Sequence, residues 1–210
     1  METIVKLESI KKSFENKIVL QDFNLNIEQG EFIIVTGESG CGKSTLLNMI
    51  GLLDKPDSGK LWLFDEMNVK PFSKKAERLL RDKIGYLFQN YALIENETVY
   101  NNLQFVVQDL KNKKSLIKET LQKVHLDGYE NKKVYQCSGG EQQRIAIARL
   151  MLKPCELVLA DEPTGSLDVK NKTIVLDLLL QLHKQGKTIV LVTHDLDIVN
   201  YGTRHLSLDL

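Results

Sequence analysis

The stretch of residues 32–45, FIIVTGESGCGKST, constrains the fold more than any other part of the chain. Its apolar start predicts a buried strand, and the pattern that follows the loop predicts a helix. Between them, Gly37 is followed after four residues by Gly42-Lys43-Ser44, a spacing typical of phosphate-binding loops. Chance would produce these four residues in roughly one chain in a hundred of this length, and the flanking elements make chance rarer still. The sequence therefore predicts a nucleoside triphosphate site within an α/β domain.

Each residue type in this loop has a chemical reason to be there. Glycines let backbone N–H groups surround a polyphosphate at the positive end of the following helix. Lys43 is expected to reach the β- and γ-phosphates, and the Ser44 hydroxyl is expected to ligate Mg²⁺. The loop residues that we expect to contact the nucleotide are Gly37, Glu38, Ser39, Gly40, Cys41, Gly42, Lys43, Ser44 and Thr45.

Length and composition limit what else the chain can do. Its 210 residues suit one α/β domain, and 28 basic against 28 acidic residues give no net field to attract nucleic acid or an anionic membrane. The three cysteines lack metal-ligand spacing and indicate free thiols in a reducing cytosol. There is no N-terminal signal pattern and no apolar run of about 18 residues. We therefore expect any membrane role to depend on a partner.

The rest of the chain alternates strand and helix patterns, with one interruption. Strands are predicted at residues 4–10, 17–20, 23–27, 60–64, 84–88, 157–160, 188–192 and 204–210, and helices at 74–82, 145–152 and 172–184. Residues 98–126 are more polar and have apolar positions at helical spacing, which indicates an inserted helical subdomain. We expect one domain, 1–210, with its core at 1–89 and 153–210 and its helical subdomain at about 90–152.

Phe14 stands in a polar setting near the N-terminus, and its local sequence allows two interpretations. An aromatic ring there can stack on an adenine base, because every base offers a π-face. The alternative is an ordinary core phenylalanine. The local sequence leaves both open.

The segment 137–144, CSGGEQQR, precedes a strongly helical pattern. Ser138 and Glu141 have the spacing of a capping box, which would explain both residues as a helix start. A capping box does not require Gly139 and Gly140, each of which weakens the helix by about 1 kcal/mol. Glycines at a helix N-terminus suit backbone contact with a phosphate. We therefore favour a ligand-binding segment and call residues 138–141 the signature segment.

Acidic and histidine side chains follow two of the predicted buried strands. Asp161 and Glu162 end the apolar run 157–160, and beside the phosphate loop Asp161 is expected to bind Mg²⁺, often through water. Glu162 is then free to orient and deprotonate the attacking water. The alternative, an exposed acidic turn before Pro163, is less convincing in a chain with a phosphate loop. His194 ends the last buried strand and is well placed to meet a γ-phosphate, although such histidines are often structural.

These motifs together resemble the ATP-binding-cassette (ABC) family of ATPase subunits. The phosphate loop, Gln89, CSGGEQQR, LVLADEP, SLD and His194 occur in the family's order over nearly the whole chain. GLLDKPDSG, LFQNYALIENETVYNNL, LADEPTGSLD and VTHD further resemble the bacterial macrolide-exporter, lipoprotein-release and bacteriocin-export group. The resemblance implies a P-loop NTPase core with a mainly parallel sheet, an N-terminal antiparallel β subdomain and an inserted α-helical subdomain.

The resemblance also implies roles for individual residues. Phe14 would stack on adenine, Gln89 would contact Mg²⁺ and couple to a permease, and Glu162 would be the catalytic base. His194 would contact the γ-phosphate and, with Lys43 and Gln89, would complete the catalytic set. The signature segment, Ser138, Gly139, Gly140 and Glu141, would bind ATP held by the second copy of a homodimer, and Asp168 would act across the same interface.

Two departures from the family pattern stand out. Position 137 is Cys where the family usually has Leu, and a small apolar thiol is expected to preserve the packing and the activity. Few residues follow His194, so we expect no C-terminal regulatory domain of the kind that some importers carry.

The resulting hypothesis is an ATPase motor that works with ATP and Mg²⁺. Two copies would enclose two ATP molecules and act on separate integral-membrane permease chains, from the cytoplasmic face of the membrane and without nucleic acid. The exported substrate would be a peptide, a lipoprotein or a hydrophobic drug. One alternative is a mechanical signalling ATPase that moves no substrate. A soluble protein acting on DNA or ribosomes is disfavoured, because the chain has neither a long coiled-coil insertion nor a second cassette.

Overall fold

Two β-sheets form the framework of the part of the chain that the structure describes. The computed structural model describes residues 2–15, 17–107 and 110–208. The first sheet is antiparallel, in the order β2-β1-β4-β5, and consists of β1 (Thr3–Phe14), β2 (Lys17–Glu28), β4 (Ser58–Leu63) and β5 (Glu66–Met67). The second is parallel, in the order β6-β7-β8-β3-β9, and consists of β3 (Phe32–Thr36), β6 (Ile84–Leu87), β7 (Leu157–Asp161), β8 (Thr188–Val192) and β9 (Arg204–Ser207).

The central strands of the parallel sheet are covered on both faces. All five residues of β3 and all five of β8 are buried, which explains why these strands are continuous apolar runs and not alternating ones. Because the strands are parallel, their carboxyl ends meet at one edge of the sheet, where ligands bind in open α/β folds. This edge holds the phosphate loop and the residues that follow β7 and β8.

In the described part of the chain, six α-helices pack around the sheets. They are α1 (Lys43–Ile50), α2 (Lys74–Asp82), α3 (Val99–Gln104), α4 (Lys113–Lys123), α5 (Gly139–Leu152) and α6 (Val169–Lys184). Short 3₁₀ turns lie at Val134–Gln136 and Leu196–Tyr201. Several helices begin at a side-chain cap that satisfies a free backbone N–H group, for example Ser73 for α2 and Thr98 for α3.

The predicted fold class is confirmed, with differences at the element boundaries. The strands predicted at 17–20 and 23–27 are one strand, β2, because Gln21 and Asp22 continue it in spite of their polarity. The helices predicted from 145 and 172 begin earlier, at Gly139 and Val169, where the capping side chains lie. The helical stretch 98–126 contains two helices, with residues 108 and 109 outside the described residues. The last strand ends at Ser207, and residues 209–210 of that prediction also lie outside them.

The helices between Gln89 and β7 share a hydrophobic core with the parallel sheet. Leu103, Ile117 and Ile145 from these helices belong to the same buried cluster as Val158 of β7. A second buried cluster joins the antiparallel sheet, α1 and the other face of the parallel sheet. The division into a core at 1–89 and 153–210 and a helical subdomain at about 90–152 remains a proposal.

Candidate nucleotide site

The phosphate loop joins the end of β3 to the start of α1. Gly42 precedes the helix with φ of 109°, in the left-handed region that favours glycine. A Cβ at this position would lie 2.5 Å from Val19 Cγ1 of β2, so a larger residue is excluded sterically as well. The phosphate loop thus lies directly against β2 of the antiparallel sheet and has the strand–loop–helix geometry that the sequence predicts.

Lys43 folds back over its own loop. Its ammonium donates to the Gly37 carbonyl oxygen at 2.6 Å and to the Glu38 carbonyl oxygen at 2.8 Å, and the residue is only 7% exposed. The side chain is thus fixed at the mouth of the loop by two carbonyl groups. An anion bound in the loop would meet a positioned ammonium group, whose attraction is strengthened by partial burial.

The first pair of oxygen donors at this edge comes from α1 and β7. The Ser44 hydroxyl donates to Asp161 Oδ1 at 3.1 Å. Burial raises the pKa of the Asp161 carboxyl above its ordinary value, and the neighbouring Glu162 carboxylate acts in the same direction, whereas the bond from Ser44 opposes the shift. A partly buried carboxylate beside a hydroxyl fits the oxygen chemistry that Mg²⁺ requires.

Glu162 is held in an unusual backbone conformation directly after β7. Its φ is 46°, and its N–H donates to the Val192 carbonyl oxygen of the neighbouring strand at 3.0 Å. The Thr193 hydroxyl donates to Oε2 at 3.1 Å, and His194 Nδ1 lies 3.0 Å from Oε1. Non-glycine residues with positive φ are uncommon and occur often at functional sites. Thr193 and His194, which follow β8, thus contact the two oxygens of the Glu162 carboxylate.

A cleft of about 600 Å³ brings most of the predicted residues together. Gln89, Glu162 and His194 line it on one side of the phosphate loop. Phe14 lines it as well and is 49% exposed, so the interpretation of Phe14 as a core residue is wrong. The full lining consists of Phe14, Lys17, Val19, Ser39, Gly40, Gly42, Lys43, Ser44, Thr45, Gln89, Glu162, Gly165, Ser166 and His194.

The signature segment lies elsewhere. Among the residues that the structure describes, none of the four lines this cleft in its own chain. Ser138 Oγ accepts from the Glu141 N–H at 3.3 Å, and Glu141 Oε2 accepts from the Ser138 N–H at 2.8 Å. The capping box is therefore formed, and it accounts for these two residues without a ligand.

The Glu141 carboxylate is occupied inside the chain. It accepts from Tyr129 Oη at 2.6 Å and from Lys132 Nζ at 3.2 Å. Burial alone would raise the pKa of Glu141, but the hydrogen bonds from Tyr129, Ser138 and Lys132 lower it below its ordinary value. The nucleotide contact expected of Glu141 stays a prediction, and all contacts described for its carboxylate are internal.

Asp168 caps the next helix. Its Oδ1 accepts from the Asn171 N–H at 2.9 Å and its Oδ2 from Asn171 Nδ2 at 2.7 Å, and these bonds lower the pKa of the carboxyl. Like the signature segment, Asp168 is not part of the cleft lining among the described residues. The structure therefore separates the predicted site residues into two groups on one chain.

Sequence reasoning missed several residues at the cleft. Lys17 and Val19 line it because Lys17 pairs directly with Phe14 across the β1–β2 hairpin. Lys17 Nζ also donates to the Gly40 carbonyl oxygen at 3.0 Å. Thr193 is buried and orients Glu162. In the sequence, the indication of this role is that Thr193 directly precedes His194. Nothing in the local sequence indicates the role of Lys17.

The three cysteines are free thiols in different environments. Cys137 and Cys155 are buried, and Cys41 in the phosphate loop is partly exposed. Burial raises the pKa of the Cys137 thiol, which accords with the small apolar packing role expected from the sequence.

Fold and cleft together define a P-loop nucleotide-binding ATPase domain. The family model described as ABC transporter matches residues 20–165. The chain belongs to the ABC transporter family and is an ABC ATPase domain.

Relatives with known names and structures agree with this assignment. The chain is 40% identical over 206 residues to the macrolide export ATP-binding/permease protein MacB of Campylobacter jejuni, covering 96% of this chain and 32% of the relative. It is also 37% identical to the ABC transporter ATP-binding protein MJ0796 of Methanocaldococcus jannaschii, covering 96% and 91% of the two chains. A dimeric structure of MJ0796 in a post-hydrolysis state with ADP and Pi matches with a TM-score of 0.86 at 36% identity, over 97% of this chain and 93% of that one.

The similarity is not confined to exporters. The chain is 40% identical over 199 residues to the spermidine/putrescine import ATP-binding protein PotA of Acetivibrio thermocellus, covering 91% of this chain and 54% of the relative. The chain spans about a third of the length of the MacB relatives. Of the helices in the described part of the chain, none has the length and apolar character needed to cross a bilayer.

Proposed function

We propose that the chain is the ATP-hydrolysing motor of a membrane exporter and that it works as a homodimer with a membrane permease. The observation that carries this proposal is the convergence of Lys43, the Ser44–Asp161 pair, Glu162 and His194 at one edge of the parallel sheet. This edge supplies a cation for phosphates, oxygen donors for a metal and a carboxylate for water.

The proposed roles follow from the geometry of the cleft. Mg²⁺, when bound by Ser44, Asp161 and Gln89, supplies positive charge that neutralises the phosphate oxygens. Lys43 holds the β- and γ-phosphates in place of the loop carbonyls that it contacts now. Glu162 accepts a proton from the attacking water, and His194 orients that carboxylate and contacts the γ-phosphate.

The adenine end of the cleft is formed by the β1–β2 hairpin. The exposed ring of Phe14 lies beside the phosphate loop, with Lys12 Nζ 5.0 Å from its centroid. Lys12 itself is buried and bonded to Asp54, so it holds the ring from one direction. A base stacked on Phe14 would place its triphosphate toward Lys43.

The homodimer is proposed because the signature segment lies outside the cleft of its own chain. Ser138, Gly139 and Asp168 are exposed or partly exposed, as a surface that meets a second copy would be. The dimeric structures of MJ0796 support dimerisation of this chain. ATP would favour the closed dimer because the nucleotide then contacts two chains instead of one.

A groove on the helical side offers a surface for the permease. It has a volume of about 560 Å³ and combines the apolar residues Phe105, Val106 and Leu110 with the charged Arg81 and Lys153. Phe105 is 55% exposed and Leu110 is 46% exposed, and both line this one groove, so the exposed apolar surface is a patch and not a set of isolated side chains. We propose that a permease segment binds here and holds the chain at the cytoplasmic face of the membrane.

The exported substrate is proposed from the relatives and from the sequence motifs. The MacB relatives are named as macrolide exporters and so support a hydrophobic drug, whereas a peptide or a lipoprotein is proposed from the motif resemblance alone.

The proposed permease-binding groove is tested with the variant Phe105→Asp. Phe72→Asp is the matched control, because Phe72 is 79% exposed and lies outside the groove. We expect Phe105→Asp to lose co-purification with a membrane protein and to keep ATP binding, and Phe72→Asp to keep both.

Two results would each contradict one part of this proposal, the first the docking groove and the second the export function. Equal co-purification of the Phe105 and Phe72 variants would remove the groove as the permease site. A co-purified membrane partner that shows ATP-dependent movement but no substrate flux in proteoliposomes would instead support a signalling device.

A further inference from the structure

The side chain of Asn171 joins the starts of α5 and α6. Its Oδ1 accepts from Arg144 Nη1 of α5 at 2.5 Å, and its Nδ2 donates to Asp168 Oδ2 at 2.7 Å. The backbone N–H of the same residue donates to Asp168 Oδ1 at 2.9 Å. One amide group therefore connects the helix of the signature segment with the cap of the following helix.

Gly140 lies against this amide. A Cβ at position 140 would be 2.5 Å from Asn171 Cγ, 2.6 Å from Oδ1 and 2.9 Å from Nδ2. Side chains are never packed this closely, so the amide would have to move. Moving it would break its bonds to Arg144 and Asp168. The second glycine of the signature segment thus has an internal steric reason, in addition to any contact with a nucleotide.

We propose that Asn171 is a positioning residue that fixes the signature segment and Asp168 in one arrangement. This inference rests on the proposed function, in which both groups face the second copy of the chain. Asn171 does not line the nucleotide cleft, so its effect is on how one chain meets the ATP of the other. Because one amide both lies against Gly140 and bonds to Asp168, displacing that amide would disturb both groups.

The steric part of the inference is tested by a double-mutant cycle on thermal unfolding. Gly140→Ala alone is expected to lower Tm by about 2–10 °C, because the new methyl group displaces a hydrogen-bonded amide. In the Asn171→Ala background the clash disappears, and the higher helix propensity of alanine leaves Tm unchanged or raises it. An equal loss of Tm in both backgrounds would overturn the contact as the reason for glycine.

The functional part is tested by the ATP concentration that half-saturates dimer formation, measured in the Glu162→Gln background by light scattering. Asn171→Ala is expected to raise this concentration about tenfold or more, because Asp168 and the buried Arg144 each lose a hydrogen-bond partner. Binding of a fluorescent ATP analogue to the single chain should not change. In steady state, KM for ATP should rise by a similar factor while kcat at saturating ATP stays within about twofold, whereas a simple loss of folded protein would lower kcat and leave KM unchanged.

Gly140→Ala should behave like Asn171→Ala in this assay, and the double variant should be no worse than Asn171→Ala alone. If Gly140→Ala prevents dimer formation equally in the presence and absence of Asn171, the glycine serves the nucleotide directly and the inference fails. If the Glu162→Gln parent forms no dimer with ATP, the proposed function fails, and the Tm cycle still decides the contact between Gly140 and Asn171.

Discussion

His194 Nδ1 lies 3.0 Å from Glu162 Oε1, although the two residues belong to different strands of the parallel sheet. β7 and β8 are neighbours, and their carboxyl ends bring the two side chains together at the edge of the nucleotide cleft. With Thr193 bonded to the other carboxylate oxygen, Glu162 has both oxygens in contact with the end of β8. The proposed base is therefore oriented by residues of the chain itself.

The contact between His194 and Glu162 predicts that His194→Ala loses ATPase activity. The Glu162 carboxylate would keep Thr193 but lose its second partner, so water activation should become slower. We expect kcat for ATP hydrolysis to fall by about 10²-fold or more, with a smaller change in ATP affinity. His125→Ala is the matched control, because His125 is exposed and lies outside the cleft lining. Equal kcat values in the two variants would contradict a role for His194.

Phe14→Ala tests the adenine end of the cleft. If the exposed ring stacks on the base, its loss should weaken ATP binding by about 1–3 kcal/mol. Phe14→Trp keeps a π-face and should bind ATP nearly as well as the wild type. Titration with a fluorescent ATP analogue measures both. An unchanged affinity in Phe14→Ala would show that the ring does not contact the nucleotide.

Much of the site could be predicted from the sequence because its motifs are local. The phosphate loop carries its own strand and helix, and Asp161, Glu162 and His194 each follow an apolar run. The pairing of Glu162 with His194 could not be predicted, because it depends on which strands are neighbours in the sheet. That order is set by packing between residues that are distant in sequence.

The helix starts show a different limit. The sequence predicts the capping box at Ser138, but for the two glycines beside it the sequence indicates only a ligand-binding role. Gly140 in fact packs on Asn171, whose bond to Arg144 spans 27 residues and joins two helices. Lys17 was missed for a similar reason, since its place at the cleft comes from pairing with Phe14 across a hairpin.

Asp161→Asn is expected to separate stability from function. Burial raises the pKa of the Asp161 carboxyl, so the ionised group destabilises the folded chain. Between the unfolded and the folded pKa, the folded state binds more protons, and the free energy of unfolding therefore falls as pH rises through this range. The amide variant has no such penalty and still accepts from Ser44. Without nucleotide, its Tm at neutral pH should exceed that of the wild type.

Lowering the pH provides the control on this interpretation. The Tm difference between Asp161→Asn and wild type should shrink as pH falls through the Asp161 pKa. Mg-ATP should raise the Tm of the wild type much more than that of Asp161→Asn, because the amide is a poorer Mg²⁺ ligand. A lower Tm for Asp161→Asn at neutral pH without nucleotide would contradict the assigned shift.

The molar mass of Glu162→Gln with and without Mg-ATP tests the central claim most directly. The amide is nearly isosteric, so ATP should still bind, but the water would lack its base and the closed dimer should accumulate. Light scattering after size-exclusion chromatography is expected to give twice the mass of one chain for this variant with Mg-ATP, and the mass of one chain without nucleotide. The wild type should remain mainly monomeric under both conditions. A Glu162→Gln protein that stays monomeric with Mg-ATP, or hydrolyses ATP at the wild-type rate, would contradict an ATP-enclosing dimer in which Glu162 is the base.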